Sequence, residues 1–351
     1  MKKEFLTGNE AAVRGALVAG AKMMTGYPIT PTTEIIQSWA AIQADSPELK
    51  FLQTEDEMAA GFAMIGAILA GMKTFSATAG PGNVLMQDAF SMAENLRLPT
   101  VAFINQRGGP STGTVIYSQQ ELNLTCFGGN GEGLRIVYSA STVQEMFDFA
   151  IKAFNTAWHY RFPTFVLSDG YTAKTTLEIE TYEPQEKNLK MIDSEAYFQN
   201  KDKAAVNLRN CYNLEKELNE ILVANKKEFD RITPEIVESE SYETDDAQVV
   251  IIAHGIVGAA AKMAVKELRK TGKKVGLFRP ITLNPFPTEA ALKAVKLAKK
   301  ILIAESSLGQ LENLVKSKLY PTSVTVESLL KPAEGIGVEE LTKRVEEIYG
   351  N

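Results

Sequence analysis

The sequence predicts an α/β protein with two units, a larger doubly wound parallel sheet followed by a smaller α/β unit. Short apolar runs alternate with helical patterns up to about residue 175, and the alternation resumes at about residue 247. Glycine or proline follows many of the apolar runs, which is where turns are expected. The length of 351 residues also fits two domains better than one.

In the first unit, the short apolar runs are expected to form strands. They lie at residues 23–27, 51–53, 74–78, 101–105, 136–138 and 165–167. The patterns between them predict helices at residues 10–22, 33–43, 57–71, 83–95 and 142–158. The first of these helices is rich in alanine, and the third carries no charge after Glu57, which is typical of a buried helix. Residues 107–133 contain many Gly, Ser, Thr and Asn residues and are expected to be mostly loop.

The middle of the chain has a different character. Residues 213–230 show a charged amphipathic pattern that predicts a helix, and residues 236–246 are acidic. We therefore expect a first domain at residues 1–183, an exposed charged helical insertion or linker at 184–246, and a second domain at 247–351. In the second domain, strands are expected at residues 249–253, 275–278, 301–304 and 324–326, and helices from Gly255 to about 270 and at 288–298.

Composition excludes several kinds of chemistry. The net charge of −6 provides no basic field for nucleic acid or an anionic membrane. Two cysteines, Cys126 and Cys211, are too few for an iron–sulfur cluster held by this chain alone. Two histidines, His159 and His254, argue against a histidine-rich metal site. The charged start does not resemble a signal peptide, and the longest uncharged stretch, 58–72, is shorter than the ~20 residues of a membrane span. A cytoplasmic protein without its own metal site is expected.

Several segments that follow predicted strands are candidates for a binding site, because ligands of open parallel sheets bind at the carboxyl ends of the strands. They are residues 27–33, 53–57, 78–83 and 107–113. Thr30 is either a helix N-cap, since it precedes Pro31, or a hydroxyl presented to a ligand. The glycines of the 80–82 turn serve either the turn alone or the close approach of a flat or anionic ligand.

Two charged side chains are the candidates for chemistry at this edge. Glu57 starts the apolar helix, where the helix dipole favours a carboxylate and where burial would raise its pKa and make it an acid–base group. Arg107 follows a strand and precedes the hydroxyls of Ser111 and Thr112, a combination that favours recognition of an anion. The glycines of residues 128–133 precede a strand instead of following one, so they do not form a dinucleotide fingerprint, and a Walker-type phosphate loop is absent.

The motifs of these segments together resemble the α subunit of the 2-oxoacid:ferredoxin oxidoreductases. Residues 27–31 read YPITP, residues 78–82 read TAGPG where the family has TSGPG, and residues 107–113 read RGGPSTG. Residues 8–11 (GNEA) and 279–287 (RPITLNPFP) also fit the family. Several motifs in the right order make the resemblance far more specific than any one of them.

The resemblance covers nearly the whole chain except about residues 185–245, and it implies thiamine diphosphate chemistry. The first domain would be of the type that binds the pyrimidine half of this cofactor, and the second would be similar to the C-terminal domain of transketolase. In thiamine enzymes a glutamate hydrogen-bonds a pyrimidine nitrogen and stabilises the imino tautomer, which removes the thiazolium proton. Glu57, with Gly66 nine positions on, matches that motif, and Glu55 does not.

The other half of the cofactor site is missing from the sequence. The GDG turn and the Asn that grips magnesium and diphosphate are absent, and residues 168–170 (SDG) resemble them only superficially. The resemblance places that half, with Mg²⁺ and an iron–sulfur cluster, on a separate β subunit. It further implies γ and ferredoxin-like δ subunits, with ferredoxin, coenzyme A and a 2-oxoacid as the other partners.

The resemblance and the residues together define an expected site. Catalysis is expected from Glu57, Thr30 and Arg107, cofactor binding from Glu57, Pro28, Ile29, Gly80 and Gly82, and substrate binding from Thr30, Arg107, Ser111 and Thr112. The implied reaction is coenzyme A-dependent oxidative decarboxylation of a 2-oxoacid to an acyl-CoA and CO2, with 2-oxoglutarate favoured over pyruvate. Residues 114–120 read TVIYSQQ where the family often has LPTKxEQ, so a pyruvate- or branched-chain-specific member stays open. A non-catalytic assembly subunit is the alternative from another class.

Overall fold

The computed structural model describes residues 1–197, 207–321 and 323–349. In these ranges the strands are β1 (Lys2–Thr7), β2 (Met23–Gly26), β3 (Lys50–Gln53), β4 (Thr74–Thr78), β5 (Val101–Gln106), β6 (Ile136–Ser139), β7 (Thr164–Asp169), β8 (Thr176–Thr181), β9 (Ser239–Tyr242), β10 (Val249–Ile252), β11 (Val275–Pro280), β12 (Thr282–Asn284), β13 (Lys300–Glu305) and β14 (Thr325–Leu330). The helices are α1 (Gly8–Val18), α2 (Thr33–Ala44), α3 (Glu57–Leu69), α4 (Pro81–Leu85), α5 (Gln87–Asn95), α6 (Leu122–Phe127), α7 (Val143–Tyr160), α8 (Gly170–Lys174), α9 (Glu215–Ile236), α10 (Gly255–Lys270), α11 (Thr288–Ala294), α12 (Gln310–Leu319) and α13 (Val338–Tyr349).

The first sheet has the strand order β12-β6-β7-β5-β4-β2-β3. Strands β2 to β7 run parallel, and β12 joins antiparallel to β6. The chain passes from β2 to β3 on one side and then to β4 on the other side of β2, so the strand order reverses there. In a parallel sheet such a reversal opens a crevice at the carboxyl ends of the strands.

Helices cover both faces of this sheet. On one face, Phe75 of β4 makes edge-on contacts with Trp39 of α2 and Phe103 of β5, with ring centroids 5.1 and 5.6 Å apart. Phe165 of β7 points to the opposite face, because it adjoins the residue that pairs with Phe103 and side chains alternate along a strand. There it packs edge-on against Phe90 of α5 at 4.8 Å. The expected doubly wound α/β architecture is confirmed.

Some elements of the first unit differ from the sequence-based prediction. The helix predicted at 83–95 is divided into α4 and α5 at Met86, whose ψ of −7° is far from the helical value. The loop predicted at 107–133 contains α6. Strands β1 and β8 form a separate antiparallel pair that was not predicted, because they are largely exposed and lack a continuous apolar face.

Part of the middle segment belongs to the folded units. Helix α9 extends beyond the predicted 213–230, and Phe229, Ile232 and Ile236 in its second half are buried in the main core. Strand β9, which lies in the segment interpreted as exposed, pairs antiparallel with β11. Residues 198–206 of that segment lie outside the described residues, and the domain boundaries stay predictions.

The second sheet has the order β14-β13-β10-β11-β9, in which only β9 is antiparallel. One face packs against α10 and α13, and the other joins α11 and α12 in the main core. Helices α12 and α13 were not predicted. Strand β12 belongs to the second unit in sequence but pairs with β6 at the edge of the first sheet, and the two units share one main core.

The described residues lack two kinds of feature. None of their helices is long and apolar enough to cross a lipid bilayer. The same residues contain no cluster of three or more His, Cys, Asp or Glu side chains arranged to hold a metal ion.

Candidate functional site

The candidate site lies at the crevice beside β2 and β4. The segments singled out in the sequence follow β2, β3, β4 and β5, and these strands are neighbours in the sheet. Their carboxyl ends therefore bring Thr30, Glu57, Gly80 and Arg107 to one edge, as the parallel topology predicts.

The acidic residues before and at the start of α3 have three different surroundings. Asp56 is the N-cap, because its Oδ1 accepts a hydrogen bond from the Ala59 amide at 2.7 Å. Glu55 is exposed, whereas Glu57 is only 5% exposed. Asp56 thus provides the side-chain cap of α3, and the Glu57 carboxyl remains available to other partners.

Burial raises the pKa of the Glu57 carboxyl above its ordinary value of 4.5. Its own backbone amide and the charge of Arg107 oppose this rise in pKa, and the charge of Asp56 adds to it. Gly82 gives the carboxyl its space, because a Cβ there would overlap Glu57 Oε1 and Thr78 Oγ1. Thr78 Oγ1 is buried and has no hydrogen-bond partner among the described residues. A carboxyl with raised proton affinity and an unpaired hydroxyl therefore meet beside one glycine.

Arg107 is a buried cation, 5% exposed, at the end of β5. One guanidinium nitrogen, Nη1, donates a hydrogen bond to the Thr30 carbonyl at 2.9 Å. Its Nε has no partner, and none of the ion pairs in the described part of the chain includes Arg107. The side chain lies against Gly80, where a Cβ would be 2.6 Å from Nε and where φ is +53°. Glycine at position 80 is therefore required both by the backbone and by the arginine.

Thr30 is not a helix cap, and that interpretation of the sequence was wrong. Helix α2 begins at Thr33, and the preceding Thr32 donates its amide and its hydroxyl to the Ile29 carbonyl at 2.8 Å each. This turn separates Thr30 from the helix, and the Thr30 carbonyl serves Arg107 instead. Ile29 is half-buried, and Pro28 is exposed.

Ser111 and Thr112 lie at the exposed tip of the loop after β5. The loop is closed at its base by a hydrogen bond from the Thr114 amide to the Gly108 carbonyl at 2.8 Å. Among the described residues, no hydrogen bond joins either hydroxyl to Arg107. The structure brings Glu57, Thr30 and Arg107 together, while the role of Ser111 and Thr112 in the same pocket stays a prediction.

Two residues that hold this edge together were not predicted from the sequence. Glu121, just before α6, accepts hydrogen bonds from the amides of Gly80 and Arg107. Asn9 of α1 donates to the Pro31 carbonyl at 2.9 Å and accepts a hydrogen bond from Asn105 at 2.8 Å. Asn9 could have been suspected from the GNEA motif, but Glu121 lies in a stretch that carries no recognisable signal.

Family models match both units of the chain. The model described as "Pyruvate flavodoxin/ferredoxin oxidoreductase, thiamine diP-bdg" matches residues 10–245. The model described as "Pyruvate:ferredoxin oxidoreductase core domain II" matches residues 247–343.

Proteins of similar sequence are named for different 2-oxoacids. The 2-oxoglutarate synthase subunit KorA of Methanocaldococcus jannaschii is 35% identical over 336 residues, covering 89% of this chain and 90% of that protein. The ketoisovalerate oxidoreductase subunit VorB of Methanothermobacter thermautotrophicus is 33% identical over 318 residues, covering 90% of each chain.

Two solved structures resemble this chain to different degrees. The 2-oxoglutarate:ferredoxin oxidoreductase from Magnetococcus marinus, determined with 2-oxoglutarate, coenzyme A and succinyl-CoA bound, matches with a TM-score of 0.90 at 26% identity. That match covers 99% of this chain but 65% of the other, so this protein spans just under two thirds of that length. A split-gene transketolase, an inactive β4 tetramer, shares the fold alone, with a TM-score of 0.61, 14% identity and 99% of each chain covered. The resemblance is confirmed, and this chain belongs to the 2-oxoacid:ferredoxin oxidoreductase family as a subunit with its thiamine diphosphate-binding domain and core domain II.

Proposed function

We propose that this chain is the catalytic α subunit of an enzyme that oxidatively decarboxylates a 2-oxoacid to an acyl-CoA and CO2 and passes the electrons to ferredoxin. The observation that carries this proposal is a buried carboxyl beside a buried guanidinium at the switch point of the sheet. Glu57 and Arg107 are each 5% exposed, and the ion pairs of the described residues include neither. Burying a charged group is costly unless it is paired. Charged groups that lie in a crevice without an ion-pair partner therefore indicate a ligand-binding site.

The surroundings of Glu57 fit the pyrimidine half of thiamine diphosphate. A carboxyl that keeps its proton above the ordinary pKa can share that proton with a ring nitrogen. Gly82 leaves a cradle that any side chain would fill, and Thr78 Oγ1 is buried without a partner. When bound, the cofactor supplies the carbon nucleophile that adds to the keto group of the substrate. The residues proposed to hold its pyrimidine half are Pro28, Ile29, Glu57, Gly80 and Gly82.

Arg107 is proposed to bind the carboxylate of the 2-oxoacid. A guanidinium has five N–H donors in a fixed plane that matches a carboxylate, and the structure assigns one nitrogen to the Thr30 carbonyl. That bond orients the group without neutralising its charge, because the acceptor is an uncharged carbonyl. Thr30 thus contributes to substrate binding through its backbone, and the Arg107 charge is available to an anion.

A β subunit is proposed to cover the exposed side of α3. Met58, Phe62, Gly66 and Ala70 lie on that side at intervals of four residues, and all are exposed and uncharged. Val84 and Leu85 of α4 add exposed apolar surface, at 58% and 42% exposure. Glu57 stands at the head of this face, and the sequence has no diphosphate motif. A partner that carries the diphosphate site, Mg²⁺ and the iron–sulfur cluster would complete the cofactor site here, with γ and ferredoxin-like δ subunits joining the assembly.

We propose 2-oxoglutarate as the substrate, supported by the RGGPSTG loop and by relatives named 2-oxoglutarate synthase. Ketoisovalerate is the second candidate. Val115 and Ile116, on the loop that follows Arg107, are 44% and 59% exposed and offer apolar surface, and other relatives are named for ketoisovalerate.

The test is to purify the chain alone and together with its partner subunits. Calorimetry should show weak or no binding of thiamine diphosphate with Mg²⁺ to the isolated chain, and tight binding to the complex. The complex is then assayed with 2-oxoglutarate, ketoisovalerate and pyruvate in the presence of coenzyme A. Tight binding by the isolated chain would overturn the shared site, and a stable complex without turnover would favour the assembly subunit.

A further inference from the structure

We propose that Glu121 is the positioning residue that fixes Arg107 in the geometry that receives the 2-oxoacid carboxylate. This inference rests on the proposed function of Arg107. It concerns a residue in a stretch without a recognisable motif, and it assigns a task to a buried carboxylate that neither the cofactor nor the substrate needs to touch.

Glu121 connects three separate elements of the site through one carboxylate. Its Oε1 accepts hydrogen bonds from the Gly80 amide at 2.8 Å and the Arg107 amide at 2.9 Å. Its Oε2 accepts a hydrogen bond from Asn83 Nδ2 at 3.0 Å. The turn after β4, the end of β5 and helix α4 are therefore tied to the same group.

These contacts fix the backbone position from which the Arg107 side chain extends and the position of Gly80, against which that side chain packs. The bond to the Arg107 amide sets where the side chain starts, and the bond to the Gly80 amide sets the surface on which it lies. The remaining contact, from Nη1 to the Thr30 carbonyl, fixes the far end of the guanidinium. Loss of the Glu121 contacts would remove two of these three constraints and make the Arg107 guanidinium more mobile. Because preorganised groups bind anions more tightly than mobile ones, binding of the 2-oxoacid carboxylate would weaken.

The charge of Glu121 also suits this task. It is 4% exposed and takes part in none of the ion pairs of the described residues, so Arg107 supplies the electrostatic compensation at short range without a direct ion pair. Burial raises the pKa of Glu121, and hydrogen bonds from Arg107, Asn83 and Gly80 oppose that rise in pKa. The carboxylate thus stabilises the buried cation from the backbone side and leaves the guanidinium for an external anion.

Asn83 makes a specific rescue experiment possible. Glu121→Gln keeps one oxygen for the two amides but turns an NH2 group towards Asn83 Nδ2, so that two donors oppose each other. Adding Asn83→Asp to Glu121→Gln replaces that clash with a donor–acceptor pair and restores the negative charge to the cluster. Asn83 Oδ1 already accepts from Gln87 at 2.9 Å, and a carboxylate can keep that bond.

The measurement is the KM for the 2-oxoacid and the KM for coenzyme A in the complex with partner subunits. Glu121→Gln should raise the KM for the 2-oxoacid about 10-fold or more, the effect of a lost hydrogen bond to a charged group, and leave that for coenzyme A unchanged. Glu121→Gln/Asn83→Asp should return to within about 3-fold of wild type. In the isolated chain, hydrogen exchange of the Gly80 and Arg107 amides should accelerate in the single variant and slow again in the double variant.

Controls separate this inference from the proposed function. Glu305→Gln is a matched buried carboxylate, which accepts the Leu311 and Glu312 amides at 2.9 and 2.8 Å in the other unit, and should leave both KM values unchanged. If Arg107→Ala raises the KM for the 2-oxoacid and Glu121→Gln does not, the positioning role is overturned and the proposed function stands. If Arg107→Ala leaves that KM unchanged, the proposed function itself fails.

A milder variant covers the case in which Glu121→Gln does not fold. Asn83→Ala keeps both backbone hydrogen bonds of Glu121 and removes the bond to Oε2, together with the side-chain hydrogen bonds of Asn83 to Thr125 and Gln87. It should raise the KM for the 2-oxoacid only about 3-fold, because both amide contacts of Glu121 remain and Arg107 stays largely in place. An unchanged KM in Asn83→Ala, with faster exchange of neither amide, would also overturn the positioning role.

Discussion

Arg107 and Arg279 occupy corresponding places in the two units and have opposite surroundings. Each lies at the carboxyl end of a parallel strand and is more than nine-tenths buried. Arg279 donates to Glu145 through both Nη atoms, at 2.7 and 3.0 Å, and to Glu240 through Nε at 3.0 Å. Arg107 contacts one uncharged carbonyl and keeps Nε unpaired.

The difference shows how burial alone fails to identify a functional arginine. Arg279 belongs to the RPITLNPFP motif and has a structural task, because its partners come from α7 and β9 and hold the second unit on the first. Arg107 is buried to a similar extent but has no carboxylate partner within the described residues. A buried guanidinium that forms no ion pair with the described residues is prepared for an external anion.

The largest expected effect separates the two arginines directly. Arg279→Ala should lower the free energy of unfolding of the isolated chain by about 3 kcal/mol, because it removes the cation that pairs with the partly buried Glu145 and leaves Glu240 with Lys262 alone. Arg107→Ala should lower that free energy by less, because Arg107 forms no ion pair with the described residues, and should lower kcat/KM of the complex for every 2-oxoacid ~30-fold or more. Chemical denaturation and steady-state kinetics check the two halves. Equal destabilisation by both variants would remove the distinction between them.

The acidic residues at α3 allow the same comparison for an acid–base group. Glu57→Gln should lower kcat of the complex at least ~10²-fold, the typical contribution of a placed acid–base group. The exposed Glu55 provides the matched control, and Glu55→Gln should retain nearly full activity. If the two variants exchange their effects, Glu57 is the wrong carboxylate.

The pH dependence of stability tests the burial of Glu57 independently of activity. A carboxyl whose pKa is raised in the folded state binds its proton more tightly there than in the unfolded chain. Its stabilising contribution is therefore complete at low pH and is lost as the pH rises from about 4.5 through the folded pKa. Chemical denaturation of the isolated chain across this window should show a smaller loss for Glu57→Gln than for wild type. Parallel curves would mean that the carboxyl is well solvated.

A smaller effect is expected at the exposed tip of the Arg107 loop. Thr112→Ala should cost on the order of 1 kcal/mol in transition-state binding, the value of one hydrogen bond, and should lower kcat/KM for 2-oxoglutarate more than for pyruvate. Thr114→Ala, on the same loop, is the control and should not alter the ratio. An unchanged ratio in Thr112→Ala removes Thr112 from the specificity argument, and a wild type that accepts only ketoisovalerate or pyruvate contradicts the preference for 2-oxoglutarate.

The smallest effect concerns the uncharged side of α3. Gly66 is exposed, and a Cβ there would contact nothing within 4 Å in the described chain. Gly66→Ala should therefore stabilise the isolated chain by up to ~1 kcal/mol through helix propensity. It should also weaken assembly with the β subunit, because the glycine leaves room for a close approach. Thermal unfolding and the dissociation constant of the complex check the two parts, and unaltered assembly would exclude close contact at this point.

Much of the site could be located from sequence because its positions follow from chain order. Parallel strands with short connections send their carboxyl ends to one edge, so Thr30, Glu57, Gly80 and Arg107 were expected together and are found together. The contacts among them could not be predicted. Whether Thr30 caps a helix depends on where α2 starts, and the turn at Thr32 moves that start by only a few residues.

Hydrophobic periodicity and motifs that are contiguous in the chain were enough to predict the α/β class, the parallel sheets, the family and the edge at which the candidate residues lie. The folded structure was needed to show that β1 pairs with β8, that β12 completes the first sheet, and that Glu121 binds the amides of Gly80 and Arg107. Those contacts join residues far apart in the chain, and their hydrogen bonds form only when the fold brings donor and acceptor together. Arg107 and Arg279 are buried to a similar extent, and only the partners that the fold brings to each side chain distinguish them.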